Sequence, residues 1–180
     1  VVSKSNPDER VGVLCLKDGK PAVIEYSEIH PDQAKAVDPE TGTLIYNAAH
    51  IVLNNFTVPF IKSVVDPESN KIALLPYHIA KKRIPCIDDD GKPTEIMGWK
   101  FELFVFDVFE FAEKLSAIEV VREHEFSPLK NSIDCPSDNP ITCRQHLSRL
   151  HQKWVTDAGA IIVKNSIQQQ TGGEEPLFEI

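Results

Sequence analysis

Three stretches of the sequence set a charged side chain beside apolar anchors, the arrangement from which binding chemistry is usually built. In Val23-Ile24-Glu25-Tyr26-Ser27-Glu28-Ile29 a carboxylate closes an apolar strand. Ligands of α/β sheets gather at strand ends, where a carboxylate can accept two sugar hydroxyls through charge-assisted hydrogen bonds. The plainer reading of Glu25 is a solvated strand-end residue. In Gly98-Trp99-Lys100-Phe101-Glu102-Leu103-Phe104-Val105-Phe106-Asp107, alternation sends Phe104 and Phe106 to one face, as a pocket wall or as ordinary core. Lys100 stands beside that strand, as a phosphate contact or as an exposed strand-start lysine. In Glu125-Phe126-Ser127-Pro128-Leu129-Lys130-Asn131, Pro128 fixes its own backbone and disfavours helix at Ser127. Phe126 and Leu129 are expected to anchor this loop on the core. A lysine held on such a loop meets the requirement for electrostatic contact with a phosphate; the alternative is a surface lysine on an ordinary turn.

The elements that must position these residues read as α/β. Val11 to Leu16 is an apolar run suited to a strand buried on both faces, and the Asp18-Gly19 pair signals a hairpin to Ala22–Tyr26. Asp38-Pro39-Glu40-Thr41-Gly42 reads as a turn, residues 44–53 as extended, and Val58 to Val65 as a short helix. Lys71 to Lys82 fits neither pattern cleanly; Ile84-Pro85-Cys86-Ile87 and Asp88-Asp89-Asp90-Gly91 suggest a strand edge and a hairpin. The three aspartates lack the alternating spacing and terminal glutamate of a calcium loop, and a solvated turn is expected. Phe101 to Asp107 reads as a buried strand, after which Phe109, Ala112 and Leu115 take helical spacing. Asn139 can cap a helix opened by Pro140, with Leu147, Leu150, Trp154 and Ala158 on one apolar face and Gly159 as its stop. Ala160-Ile161-Ile162-Val163 reads as a further strand, and Gln168 to Glu175 as a loop. Strands and helices in this order imply an α/β layer structure.

Bulk properties narrow the partners. The chain has 180 residues, 42% apolar and 26% charged, enough for one domain burying roughly 70% of its unfolded surface. A net charge of −8 argues against nucleic acid, whose phosphates need basic patches; one or two local cations still suffice for a small phosphorylated ligand. No apolar run reaches the length of a membrane span and no signal peptide is seen, so a cytoplasmic location is expected. Cys15, Cys86, Cys135 and Cys143 are widely spread, which favours free thiols over disulfides or zinc. The chain opens on Val1 and its one methionine is Met97, and it is read as excised from a longer protein.

In order along the chain stand Asn6-Pro7, Gly12, Glu25-Tyr26-Ser27-Glu28-Ile29, Phe104-Val105-Phe106-Asp107, the Lys130 loop, Asn139-Pro140 and Leu150-His151-x-x-Trp154. Together they resemble the UDP-N-acetylhexosamine pyrophosphorylase family of eukaryotes over nearly the whole length. The resemblance implies part of a Rossmann-like nucleotidyltransferase domain, a mixed sheet flanked by helices. It implies that UTP and N-acetylglucosamine 1-phosphate give UDP-N-acetylglucosamine and pyrophosphate with magnesium, the ion held mainly by phosphates and by residues outside this chain. By position, Gly12 would border the sugar through close backbone approach and Glu25 through hydroxyls. Phe104 and Phe106 would shape the N-acyl pocket, Lys130 would meet the phosphates and Lys100 would assist.

One motif departs from the family. Ala48-Ala49-His50-Ile51 stands where the family has Ala-Gly-Asn-Ile, so His50 would take the place of a sugar-contacting asparagine, bulkier but still able to hydrogen-bond. A non-catalytic paralogue that binds a sugar nucleotide is the alternative this change motivates. The family's Gly-Gly-x-Gly-Thr-Arg nucleotide loop is absent from the eight glycines here, while Glu174 to Ile180 resembles the link to a C-terminal β-helical domain. Residues 1–180 are therefore expected to be the C-terminal half of a catalytic domain, with the remainder of the polypeptide as their partner.

Overall fold

Asp18 and Gly19, at φ +52° and +78°, are the two left-handed residues that a two-residue hairpin turn demands. They reverse the chain between β2 (Val13–Lys17) and β3 (Lys20–Ile24), paired antiparallel from Val13↔Ile24 to Lys17↔Lys20. The computed structural model describes residues 1–163 and divides into two compact units, Val1–Glu119 and Val120–Ile180.

In the first unit, β1 (Val2–Ser3) and β4 (Ala48–Ala49) complete a four-stranded sheet in the order β1-β4-β2-β3. Every strand pair among the described residues is antiparallel. β2 is covered at its start, where Val13 is 1% exposed and Leu14 packs on the core, and opens to solvent at its end, where Leu16 is 72% exposed; the expectation of a strand covered on both faces holds only for its first residues. Of the extended run at 44–53, only Ala48 and Ala49 join the ladder. The turn at 38–42 forms as expected, with the Asp38 carboxylate accepting from the amides of Glu40 and Thr41 and Gly42 at φ +69°. After the short helix α1 (Pro31–Lys35) comes α2 (Val58–Val65), capped by Thr57 Oγ1 on Phe60 N and burying Val64.

A long hairpin follows, β5 (His78–Ile87) against β6 (Pro93–Glu102), closed by Asp88 Oδ1 accepting from Asp90 N and Lys92 N. The expected strand from Phe101 to Asp107 stops short. Pairing ends at Glu102, and Val105–Phe111 winds into a 3₁₀ helix. The tighter coil turns Phe106, Val108 and Phe109 into one core with Val23 and Val64, which a continued strand with its period of two could not do.

In the second unit a short helix α3 (Arg122–Glu125) precedes α4 (Pro140–Asp157). Asn139 and Thr142 form a reciprocal capping box, Pro140 opens the helix, and Gly159 follows its end at φ +94°. The predicted apolar face is not a buried one: Leu147, Trp154 and Ala158 are exposed, and Ser148 is the buried helix residue. Ala160 to Val163 is not a strand; Ile161 is 90% exposed, with no neighbouring strand among the described residues to accept it. The expected loop at 168–175 lies outside the described residues.

Candidate functional site

Gly12 is buried at the entry to β2, and its backbone organises the first unit's candidate site. Its carbonyl accepts the amide of His50 at 2.8 Å. A Cβ at Gly12 would lie 2.7 Å from Val23 Cγ1 and 2.8 Å from Glu25 Oε1, so the position admits no side chain without displacing both. Glu25 leaves the end of β3 into a turn in which the amides of Glu28 and Ile29 both donate to its carbonyl, at 2.9 and 3.1 Å. Gly12, Glu25 and His50, distant in sequence, are thus brought together.

His50 is buried, and Nε2 donates to Asn54 Oδ1 at 2.9 Å. Burial lowers its pKa, the Asn54 bond opposes that, and the N-terminal charge adds to the lowering, leaving the ring neutral at pH 7. Its ring meets Phe106 and Phe109 edge-on, with centroids at 5.5 and 5.8 Å. Two residues on, Val52 sits at φ +64°, a backbone region that a β-branched residue occupies only under strain.

Phe104 and Phe106 stack with centroids 4.8 Å apart. The shared side expected from alternation therefore holds although the strand has ended. Phe106 is only 4% exposed, within the core, whereas Phe104 is half-buried. Phe104 is thus the more accessible ring of the pair. Lys100 lies on β6 and pairs with the Glu102 carboxylate on the same strand.

The sequence reading passed over His78, the first residue of β5. Its Nδ1 lies 2.7 Å from Glu28 Oε1 and its Nε2 3.0 Å from Asp107 Oδ2, and Phe104 packs on the ring at 4.8 Å. Burial pulls the imidazole's pKa down, but the two carboxylates outweigh it and the net direction is up. A signal existed in the acids of two motifs, Glu28 and Asp107. What was missing was the register His78↔Glu102, which only the folded hairpin supplies.

Lys130 belongs to the second unit. Its loop is anchored by backbone bonds, not by the expected Leu129, which is 60% exposed. The amides of Lys130 and Asn131 both donate to Asp138 O, at 2.8 and 2.9 Å, with Asp138 at φ +52°. Asn131 Nδ2 donates to Ser137 O at 2.9 Å, and Asn139 Nδ2 to Cys135 O. Ser127 Oγ meets His146 Nδ1 at 2.9 Å on α4, and Phe126 lies half-buried under Arg122. The exposed Lys130 side chain thus rises from a base fixed to the helix start.

Among the described residues no three His, Cys, Asp or Glu side chains form a group that could hold a metal ion, and no helix is long and apolar enough to cross a membrane.

Comparison with known proteins gives a consistent outcome. The model of a family described as UTP–glucose-1-phosphate uridylyltransferase matches residues 1–177. The chain is 46% identical over 163 residues to the human UDP-N-acetylhexosamine pyrophosphorylase-like protein 1, covering 89% of this chain and 31% of that protein. It is 42% identical to the Saccharomyces cerevisiae UDP-N-acetylglucosamine pyrophosphorylase, covering 89% of this chain and 34% of the relative. The crystal structure of the Trypanosoma brucei uridine diphosphate N-acetylglucosamine pyrophosphorylase in complex with inhibitor superposes with TM-score 0.66 at 34% identity, covering 87% of this chain and 30% of that one. The chain therefore spans about a third of the length of the curated relatives it matches, and its fold class is that of a nucleotidyltransferase.

Proposed function

The chain belongs to the UTP–glucose-1-phosphate uridylyltransferase family, and on that premise we propose that it supplies the sugar-phosphate side of a UDP-N-acetylglucosamine-forming site. A phosphate oxygen of N-acetylglucosamine 1-phosphate attacks the α-phosphorus of UTP. The bond from that phosphorus to the β-phosphate oxygen breaks, and pyrophosphate leaves with the electron pair. The substrate is itself the nucleophile, so the protein's task is alignment and neutralisation of phosphate charge.

The observation that carries this reading is the convergence of Gly12, Glu25 and His50 beside the stacked Phe104 and Phe106. Glu25 takes sugar hydroxyls, His50 donates or accepts where an asparagine would, and Phe104, backed by Phe106, faces the N-acyl group. Lys130 on its pinned loop meets the phosphates. Lys100 assists by exchanging Glu102 for a phosphate oxygen. Magnesium would lower phosphate charge, held mainly by the phosphates and by residues outside this chain. The nucleotide side, with its glycine-rich loop, comes from the rest of the polypeptide, and the cytoplasm is the proposed location.

Assay of the intact protein for UDP-N-acetylglucosamine formation tests the proposal, and a folded protein without turnover would leave a non-catalytic sugar-nucleotide binder in its place. Lys130→Ala is expected to lower turnover by roughly 10²-fold, as removal of a preorganised electrostatic contact does, far more than it disturbs folding as read by melting temperature. If kcat and kcat/KM both stay within a few-fold of wild type, Lys130 does not touch the phosphates.

A further inference from the structure

His78 ties the Glu25 turn to the aromatic segment. Glu28, one partner, sits in the turn closed on the Glu25 carbonyl. Asp107, the other, lies in the 3₁₀ helix directly after Phe106. Phe104 lies between the His78 ring, which meets it tilted at 4.8 Å, and Phe106, on which it stacks at 4.8 Å. Phe106 leads back to His50, and His50 to Gly12 and Glu25. The contacts close a loop in which His78 joins the acidic wall to the aromatic one.

Both ring nitrogens face carboxylate oxygens, and carboxylates at neutral pH only accept. An imidazole can donate from both nitrogens only when it is protonated; the neutral ring would turn a lone pair toward Glu28 or Asp107. We propose that His78 is a positioning residue, an imidazolium strut that holds Glu25 and Phe104 at the spacing the N-acetylated sugar needs. This rests on the sugar-phosphate reading above.

The charged groups around the strut set its pH behaviour. Glu28 faces it from the turn after β3 and Asp107 from the 3₁₀ helix, and across the hairpin its register partner Glu102 is occupied by Lys100. The raised pKa of the imidazole means the strut is intact below the ordinary value of about 6.5 and is lost as pH climbs through the higher folded value. Sugar-phosphate affinity is expected to follow it down.

The test uses the intact protein and initial rates with N-acetylglucosamine 1-phosphate and UTP varied separately. His78→Gln should raise KM for the sugar phosphate roughly five- to tenfold, as loss of a charge-assisted pair does, leave KM for UTP within twofold, and abolish the alkaline rise in the sugar-phosphate KM. Glu28→Gln added to His78→Gln gives the glutamine a neutral partner and should recover part of the loss. A merely structural residue would lower thermal stability without splitting the two KM values. An unchanged sugar-phosphate KM and pH profile in His78→Gln overturns the role of His78 alone, whereas absence of turnover in wild type overturns the uridylyltransferase reading. Should His78→Gln not fold, the wild-type imidazole's NMR titration decides: a midpoint at or below the ordinary histidine value defeats the strut.

Discussion

A methyl group at Gly12 would meet Val23 Cγ1 and Glu25 Oε1 inside 3 Å. The two neighbours respond differently. Val23 is buried in the core and yields only by straining its packing, while the Glu25 carboxylate, at the end of a flexible side chain, swings away. Gly12→Ala is therefore expected to cost about 1–3 kcal/mol of stability, the usual range for overpacking, and to raise the sugar-phosphate KM while sparing that for UTP. Chemical denaturation and substrate kinetics read the two effects separately; a variant with wild-type values of both would show that the backbone approach at Gly12 matters to neither. The two histidines that share this environment are shifted in opposite directions for physical reasons. Burial among aromatics lowers the pKa of His50, and two neighbouring acids raise that of His78. Sequence alone made both of them histidines next to apolar runs. Only His50 drew attention, because it replaces an asparagine in a motif, whereas the partners of His78 are 50 and 29 residues away.

At the scale of elements, what was legible in the sequence is what local chemistry decides. Asp18-Gly19 dictates its hairpin and Asn139-Pro140 the start of the long α4. Each is fixed by two to four neighbouring residues. What was not legible depends on distant packing: β6 gives way to a 3₁₀ helix because the core captures Phe106, Val108 and Phe109, and the run 160–163 looks like a strand but finds none to pair with among the described residues. The Lys130 loop shows both effects. Its anchor was sought in Leu129 and Phe126, yet the fixing bonds run from backbone amides to Asp138 and from Asn139 to Cys135. Asn139 thus serves two elements, capping α4 through Oδ1 and holding the loop through Nδ2. Asn139→Ala should destabilise the protein by roughly 1–2 kcal/mol, the cost of a lost cap. Asn139→Ser keeps a cap acceptor and should recover most of that stability. Because serine cannot reach Cys135 as the carboxamide does, its turnover should still fall with the loosened Lys130 loop. Denaturant midpoints and kcat measured on both variants check this, and equal kcat in Asn139→Ser and wild type would separate Lys130 from its helix-start anchor.

At the scale of the molecule, charge and coverage point the same way. The net charge of −8 gives the chain a field that repels a polyphosphate, and the cations proposed for the site are two lysines, one of them already paired with Glu102. These 180 residues hold no Gly-Gly-x-Gly-Thr-Arg segment whose amides could cradle UTP, and they span 31% and 34% of the length of the human and yeast relatives. The β5–β6 hairpin also carries Ile79 opposite Phe101 and, on that same face, Trp99 and Met97, all exposed; an apolar face of this kind favours association at high concentration. The isolated chain is accordingly expected to form no UDP-N-acetylglucosamine above the uncatalysed background, at concentrations where light scattering reports a monodisperse sample. Circular dichroism and N-acetylglucosamine 1-phosphate titration on the same sample separate a folded half-site from an unfolded one. Robust turnover by these 180 residues would mean that Lys130, Lys100 and the Gly12–Glu25–His50 group bind and align UTP unaided, and the division of the site between this chain and the rest of the polypeptide would fall.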